Sequence, residues 1–163
     1  MYRVAVLTFS DSSFRGERKD ISGNVIVDIM NDAGYRVVLK EILPDDQSMI
    51  EEKLKEICDS YAADLILTTG GTGFSPRDCA PEATGNVTER AVPGIPEAIR
   101  NFSLKITPRA MLSRAGAGIR KNTLIVNLPG GPKAVDECLN YILGSLGHGL
   151  DILTENDSNC ART

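Results

Sequence analysis

A chain of 163 residues is long enough to bury one hydrophobic core without disulfide or metal staples. Hydrophobic residues at 42% and charged residues at 25% are ordinary globular values, which excludes general disorder. The net charge of −4 argues against a general nucleic-acid binder, which carries a basic surplus, and no run of about twenty apolar residues offers a membrane span.

The first strand is expected at Arg3–Thr8, a short β-branched apolar run of the kind buried on both faces. With no signal-peptide pattern ahead of it, a cytoplasmic location is expected. A polar loop runs through Asp20, and a helix begins near Ser22. Val25, Ile26, Ile29, Met30 and Ala33 follow at helical spacing, and Gly34 suits the position just past the helix end. A second strand, Tyr35–Glu41, leads into Leu43-Pro44-Asp45-Asp46. The pattern Ser48-x-x-Glu51 reads as a capping box that opens a helix burying Ile50, Leu54, Ile57 and Tyr61. Strand three, Asp64–Thr69, runs directly into Gly70-Gly71-Thr72-Gly73.

Short helices are expected at about Pro81–Arg90 and Ile95–Leu104. Ala115–Arg120 and Thr123–Leu128 read as a hairpin turning at Lys121-Asn122. Pro129-Gly130-Gly131-Pro132 opens a long helix whose stripe is Val135, Cys138, Leu139, Ile142, Leu146, Leu150 and Leu153. Gly144, Gly147 and Gly149 weaken that helix by roughly 1 kcal/mol each relative to Ala, which a close helix or subunit contact would explain. One domain over 1–155 is expected, followed by a flexible tail over 156–163. Alternating strands and helices imply an α/β three-layer sandwich: a mainly parallel sheet with one antiparallel edge hairpin, flanked by helices.

The four cysteines, Cys58, Cys79, Cys138 and Cys160, contain no C-x-x-C pair, so neither a zinc site nor a disulfide framework is indicated. His148 is the single histidine. A Ser-His-Asp or Cys-His mechanism would hang on it alone and is set aside.

Function follows from topology. Ser10-Asp11, Asp45, Gly70–Asp78 and Pro129–Gly131 each lie beyond the carboxyl end of a strand, where open α/β sheets bind ligands. The run Thr68-Thr69-Gly70-Gly71-Thr72-Gly73 lets backbone approach a ligand and line up N–H groups for an anion, although a tight turn explains a glycine pair equally well. It is neither a P-loop nor G-x-G-x-x-G. Asp45 and Asp78 on neighbouring loops are suited to holding Mg²⁺ against a triphosphate. Against that, Asp78 reads equally as a partner of Arg77 or a helix cap. For Asp11, a simple turn with Ser10, Ser12 and Ser13 is somewhat favoured. Ser113-Arg114 reads equally as a solvated helix end, and Asn127–Gly131 as a strand-to-helix turn whose free N–H groups suit an anion.

Taken together, these segments resemble the MoaB/Mog family of molybdenum-cofactor biosynthesis from Val4 to about Leu153. The matching segments are Leu7–Asp11, Asp20–Gly23, Leu43–Asp46, Leu67–Asp78, Pro81–Thr84, Pro93-Gly94, Ala110–Arg114, Ala117–Arg120 and Asn127–Gly131. The pairs Pro44-Asp45 and Arg77-Asp78 are similar to those of the branch that adenylylates molybdopterin with MgATP and releases pyrophosphate.

The resemblance implies that Asp45 and Asp78 are the essential acidic residues. It implies that Gly70, Gly71, Thr72 and Gly73 hold the nucleotide, with Ser113, Asn127, Pro129 and Gly130 lining the site, and that Ser10, Asp11, Thr69 and Arg77 meet the substrate. A homotrimer and hand-over to a molybdate-inserting partner are implied too. A catalytically silent molybdopterin-binding module, or an enzyme acting on another phosphorylated metabolite, are the alternatives. The attacking group would be a phosphate monoester, largely dianionic at neutral pH because its second pKa is about 6, so no general base is needed. Charge neutralisation and in-line positioning are what the protein must supply.

Overall fold

Six of the seven residues in strand β1 (Arg3–Phe9) are buried, because helices cover both faces of the sheet it belongs to. In this computed structural model, which describes residues 1–155, β1 is followed by a one-turn helix α1 (Asp11–Phe14), α2 (Ile21–Asp32) and β2 (Arg36–Leu43). Helix α3 (Gln47–Asp59), β3 (Leu65–Thr69), α4 (Ala80–Val87), β4 (Arg90–Ala91) and α5 (Gly94–Leu104) come next. A 3-10 turn at Pro108–Leu112, β5 (Ala117–Arg120), β6 (Thr123–Leu128) and α6 (Pro132–Leu153) complete the order. The expected tail, 156–163, and Cys160 within it lie outside the described residues.

The strands form one sheet in the order β2-β1-β3-β6-β5-β4. The first four are parallel; β5 pairs antiparallel with β6, and the edge strand β4 pairs antiparallel with β5. Alternation along β1 divides the core between the two faces. Val4 and Val6 pack with Ile26 and Met30 of α2, Ile99 of α5 and Val135, Leu139 and Leu146 of α6. Ala5, Leu7 and Phe9 pack with Ile50, Leu54 and Ile57 of α3 and Ala83 and Val87 of α4. The three-layer α/β sandwich is therefore as expected, and Cys58 and Cys138 are core residues.

Local differences have simple causes. Helix α3 is capped by Asp46, whose side chain accepts from Met49 N at 3.0 Å, so Ser48 already lies inside the first turn. Glu51 makes no capping box; it accepts from Gln47 and from Asn86 of α4. Tyr61 is not a core residue. It sits past the end of α3 at φ 54° and is 51% exposed, its ring lying 5.5 Å from Lys121 Nζ. Strand β2 extends two residues further than expected. The two-residue β4, the 3-10 turn and α1 are too short to leave a periodic trace in sequence. Gly34, at φ 84°, ends α2 as its position suggested.

An ion pair ties the end of α3 to the edge hairpin. Arg120 donates from Nε and Nη2 to both oxygens of Asp59, at 2.8 and 2.9 Å, and Lys121 Nζ lies 3.4 Å away. These donors hold the Asp59 carboxyl down at about 2. A depressed acid stabilises the fold above its unfolded value of about 4 and loses that contribution as pH falls through its folded value. Asp59→Asn should therefore melt earlier than the parent at neutral pH, with the gap closing as pH is lowered towards 2. Thermal melts across pH check this, and a gap that stays constant contradicts it.

Candidate active site

The parallel strands end level with one another. Phe9 of β1 stands beside Leu43 of β2, Thr8 beside Thr69 of β3, and Thr69 beside Leu128 of β6. From β1 the chain goes outward to β2 and then returns past it to β3, so the crevice between the β1 and β3 ends is the topological switch point. Two adjoining features occupy this edge.

The first is a cavity of about 360 Å³ between the ends of β1, β3 and β6. Thr8, Ser10, Ser13, Thr69, Gly70 and Gly130 are among its walls, with Arg18 and Lys19 on one side. Helices α2 and α6 both start at this cavity, and the first turn of α6, which no side chain caps, is the one whose N–H groups favour an anion. Asp20 caps α2 from a buried position. It accepts from Gly23 N at 2.8 Å and Thr8 Oγ1 at 2.9 Å, and pairs with Lys40 Nζ at 3.1 Å. Its charge is thus satisfied within the wall. A Cβ at Gly23 would lie 2.1 Å from Asp20 Oδ2, so only glycine fits there. Ser22 Oγ donates to Gly130 O at 2.7 Å and Thr69 Oγ1 to Pro129 O at 2.6 Å, binding the Pro129–Gly131 turn to the other loops. Thr69 is 1% exposed, so its hydroxyl acts here as a strut.

The second feature is acidic. Asp11 N donates to Asp45 Oδ2 and Asp45 N to Asp11 Oδ1, each at 3.0 Å, locking the loops after β1 and β2 together. Arg77 closes over them from the loop after β3, donating to Asp11 Oδ2 at 2.6 Å and Oδ1 at 3.0 Å. Asp78 belongs to the same loop, and its Oδ2 accepts from Ser75 N at 3.2 Å. Gly71 and Gly73 let the loop pass close to these groups: an added Cβ would stand 3.5 Å from Asp45 Oδ1 and 2.9 Å from Asp78 Oδ2.

The electrostatics separate the two carboxylates of the lock. The Arg77 guanidinium, with the Asp45 amide, holds the Asp11 carboxyl below the usual range. Burial pushes Asp45 up, reinforced by the charges of Asp11 and Asp78. Asp45 is thus a half-buried carboxylate pressed by two others, the condition of a group suited to a cation. Burial, together with the charge of Asp45, raises the Cys79 thiol to about 11, so it remains protonated at neutral pH and is no nucleophile.

Among the described residues no group of three or more His, Cys, Asp and Glu side chains forms a ready metal cage. Asp45 and Asp78 do offer hard carboxylate oxygens, and Mg²⁺ is ordinarily held by one or two carboxylates plus substrate phosphates. The donor set therefore fits an ion shared with a bound polyphosphate.

Other sequence-derived candidates take different roles. Asn127 is fully buried: its Nδ2 donates to Thr68 Oγ1 and Thr84 Oγ1, both at 2.9 Å, and its Oδ1 accepts from Gly116 N at 3.1 Å. Its side chain links β6 to β3 and α4 and does not face a ligand. Ser113 caps the 3-10 turn, and its Oγ accepts from Ala115 N at 3.3 Å. Arg114 is no solvated helix end; it grips the loop after β3. Arg18 and Lys19, which line the cavity, carried no local pattern that marked them. Arg120 and Lys121 are engaged with Asp59, away from these loops.

An open α/β protein with an anion-suited cavity beside a pair of carboxylates at its switch point is the class these features define. The chain belongs to the family described as the probable molybdopterin binding domain, which matches residues 5–148. It is 40% identical over 155 residues to a protein of Helicobacter pylori named molybdopterin adenylyltransferase, covering 94% of this chain and 88% of that one. A protein of the same name from Haemophilus influenzae is 47% identical over 109 residues, 67% of this chain and 55% of its own length. The solved structure of the molybdopterin biosynthesis enzyme MoaB from Thermus thermophilus superposes with a TM-score of 0.90 at 45% identity, covering 95% of this chain and 98% of that chain.

Proposed function

We propose that this chain transfers AMP from ATP to the terminal phosphate of molybdopterin, giving adenylyl-molybdopterin and pyrophosphate in molybdenum-cofactor biosynthesis. The observation that carries this reading is the convergence of Asp45 and Asp78 beside Gly70–Gly73, next to a cavity that the uncapped N-terminus of α6 makes suitable for an anion. The names of the relatives support it.

An oxygen of the pterin phosphate attacks the α-phosphorus of ATP. A new P–O bond forms, the bond from the α-phosphorus to the bridging oxygen breaks, and pyrophosphate leaves. The attacking phosphate is already largely dianionic at neutral pH, so no residue abstracts a proton. Asp45 and Asp78 would hold Mg²⁺ against the triphosphate, where it offsets charge on the phosphoryl oxygens. The backbone of Gly70, Gly71, Thr72 and Gly73 receives the nucleotide, with Ser113, Pro129, Gly130 and the turn braced by Asn127 behind it. Ser10, Asp11, Thr69 and Arg77 shape the acceptor side. Arg77 is held in place by Asp11 and lies over the acidic loops.

Arg18 and Lys19 attract an anionic substrate without touching the reacting atoms. The double substitution Arg18→Ala, Lys19→Ala should raise KM about tenfold for a phosphorylated substrate while leaving kcat within a few fold. Steady-state kinetics at low and high salt check this, and an unchanged KM would remove these residues from the site.

A cytoplasmic site of action is part of this proposal; among the described residues no helix is long and apolar enough to cross a membrane. The homotrimer that the resemblance implies is part of this proposal, and the face between α5 and α6 is the contact we assign to it. That face is a hollow of about 560 Å³ lined by Ile95, Ala98, Leu124 and Tyr141, and a Cβ at Gly144 or Gly149 would meet nothing within 4 Å in this chain. The adenylylated product then passes to a molybdate-inserting partner. The substrate assignment is tested by offering the protein α-labelled ATP, Mg²⁺ and a panel of phosphorylated acceptors. Label should move to molybdopterin alone, and transfer to another phosphate monoester would overturn the assignment.

A further inference from the structure

Asp78 owes its position to a loop that does not hold itself. Between β3 and α4 the chain makes few regular hydrogen bonds, and it carries a string of carbonyl groups that need donors. Arg114 satisfies three of them. Its backbone N donates to Thr72 O at 2.9 Å, its Nε to Gly73 O at 2.7 Å and its Nη2 to Asp78 O at 3.0 Å, while Nη1 pairs with Glu82 on the first turn of α4. One guanidinium therefore spans the loop from its glycine turn to the catalytic carboxylate's own backbone, and anchors both to the helix that follows.

Arg114 is itself held from behind. Arg100 of α5 donates from Nη1 to Ala115 O at 2.8 Å and to Ser113 O at 3.4 Å, the carbonyls on either side of it. Two arginines in series thus connect α5 to the Gly70–Asp78 loop. A guanidinium is needed at the front position because its N–H groups point in fixed, divergent directions within one plane. A lysine at this position keeps the backbone bond to Thr72 O, but its ammonium reaches only one of Gly73 O and Asp78 O and leaves the other without its donor.

We infer that Arg114 is a positioning residue of the transfer reaction: it fixes Asp78, and the glycine turn beside it, at the geometry the transition state needs, without contacting the reacting atoms. The inference rests on the adenylyl-transfer reading for its kinetic consequence but not for its structural one. Misplacing a catalytic group by about 1 Å costs on the order of 100-fold in rate. Arg114→Lys should therefore lower kcat between ten- and a hundredfold with KM for ATP changed less than threefold. Glu82→Gln, which keeps Arg114 and its three carbonyl contacts, should lose less than fivefold.

The deciding experiment measures amide hydrogen exchange and steady-state kinetics together on the parent, Arg114→Lys and Glu82→Gln proteins. Faster exchange in Arg114→Lys confined to residues 71–79, with β1 and β3 unchanged and kcat reduced, is the expected result. Exchange and kcat equal to the parent would overturn the inference. Faster loop exchange with an undiminished kcat would overturn it too, because the loop would then be held to no catalytic purpose. Exchange rising throughout β1 and β3 would make Arg114 a general strut and likewise overturn it. A parent protein that makes no adenylylated product would defeat the proposed function instead, and the exchange measurement would still decide whether Arg114 holds the loop.

Discussion

Asp45→Asn should lose turnover by about 10²- to 10³-fold while the protein stays fully folded and still binds ATP and molybdopterin. The amide keeps the shape of the carboxylate and can still accept the hydrogen bond from Asp11 N that locks the two loops. What it removes is the charge available to a cation and to the developing transition state. Stability runs the other way. Burial and the neighbouring carboxylates raise the folded-state pKa of Asp45, so its ionised form burdens the fold above its unfolded value of about 4, and protonation relieves that burden as pH falls. A neutral Asn removes the burden at neutral pH, and Tm should be equal to or above that of the parent. Activity lost while stability is kept or gained is the mark of a functional carboxylate, and kinetics paired with thermal melts will show it. Full activity in this variant would remove Asp45 from the reaction.

Gly70→Ala is expected to damage the fold more than alanine at any other positive-φ glycine among the described residues. Gly70 sits at φ 91°, where L side chains are strained, and its new Cβ would lie 2.4 Å from Phe9 O at the end of the adjacent β1. Neither atom has room to retreat, since Phe9 and Thr69 belong to buried parallel strands at the centre of the sheet. The expected cost is about 2–4 kcal/mol, combining backbone strain with overpacking. For a domain of this size that is a fall in Tm of roughly 5–15 °C. Two controls separate the causes. Gly34→Ala carries a similar φ of 84° in open space and should cost only the strain, about 1 kcal/mol. Gly130→Ala, whose Cβ would rest at an ordinary 3.5 Å from Gly70 Cα, should be tolerated. Equal losses at Gly70 and Gly34 would show that contact with Phe9 O is not the reason for the glycine.

The legible parts of this protein are those written in short-range patterns. Buried parallel strands announce themselves as β-branched runs, and the four loops at their carboxyl ends follow from topology alone. Asp45 and Asp78 could be paired from sequence because each follows a recognisable strand. Contacts between residues far apart in the chain were not legible. Nothing near Arg114 indicates that it bonds to Thr72, Gly73 and Asp78: Ser113-Arg114 reads equally as a solvated helix end, and Ala115 as the start of a hairpin strand. Arg18 and Lys19 enter the cavity only because α2 begins beside it. Asn127 looked like a ligand-side residue because it stands at a strand end, yet its side chain turns inward to Thr68 and Thr84. The cap of α3 went to Asp46 instead of Ser48 because two neighbouring residues can each start a helix, and only the path of the preceding chain decides between them.

Whether this chain adenylylates molybdopterin is decided by its products. The purified protein is mixed with molybdopterin, ATP and Mg²⁺, and the pterin is followed by mass spectrometry while pyrophosphate is quantified. Adenylylated molybdopterin with an equimolar amount of pyrophosphate is the expected result. Tight molybdopterin binding with neither product would contradict it and make the chain a silent pterin-binding module built on the same fold.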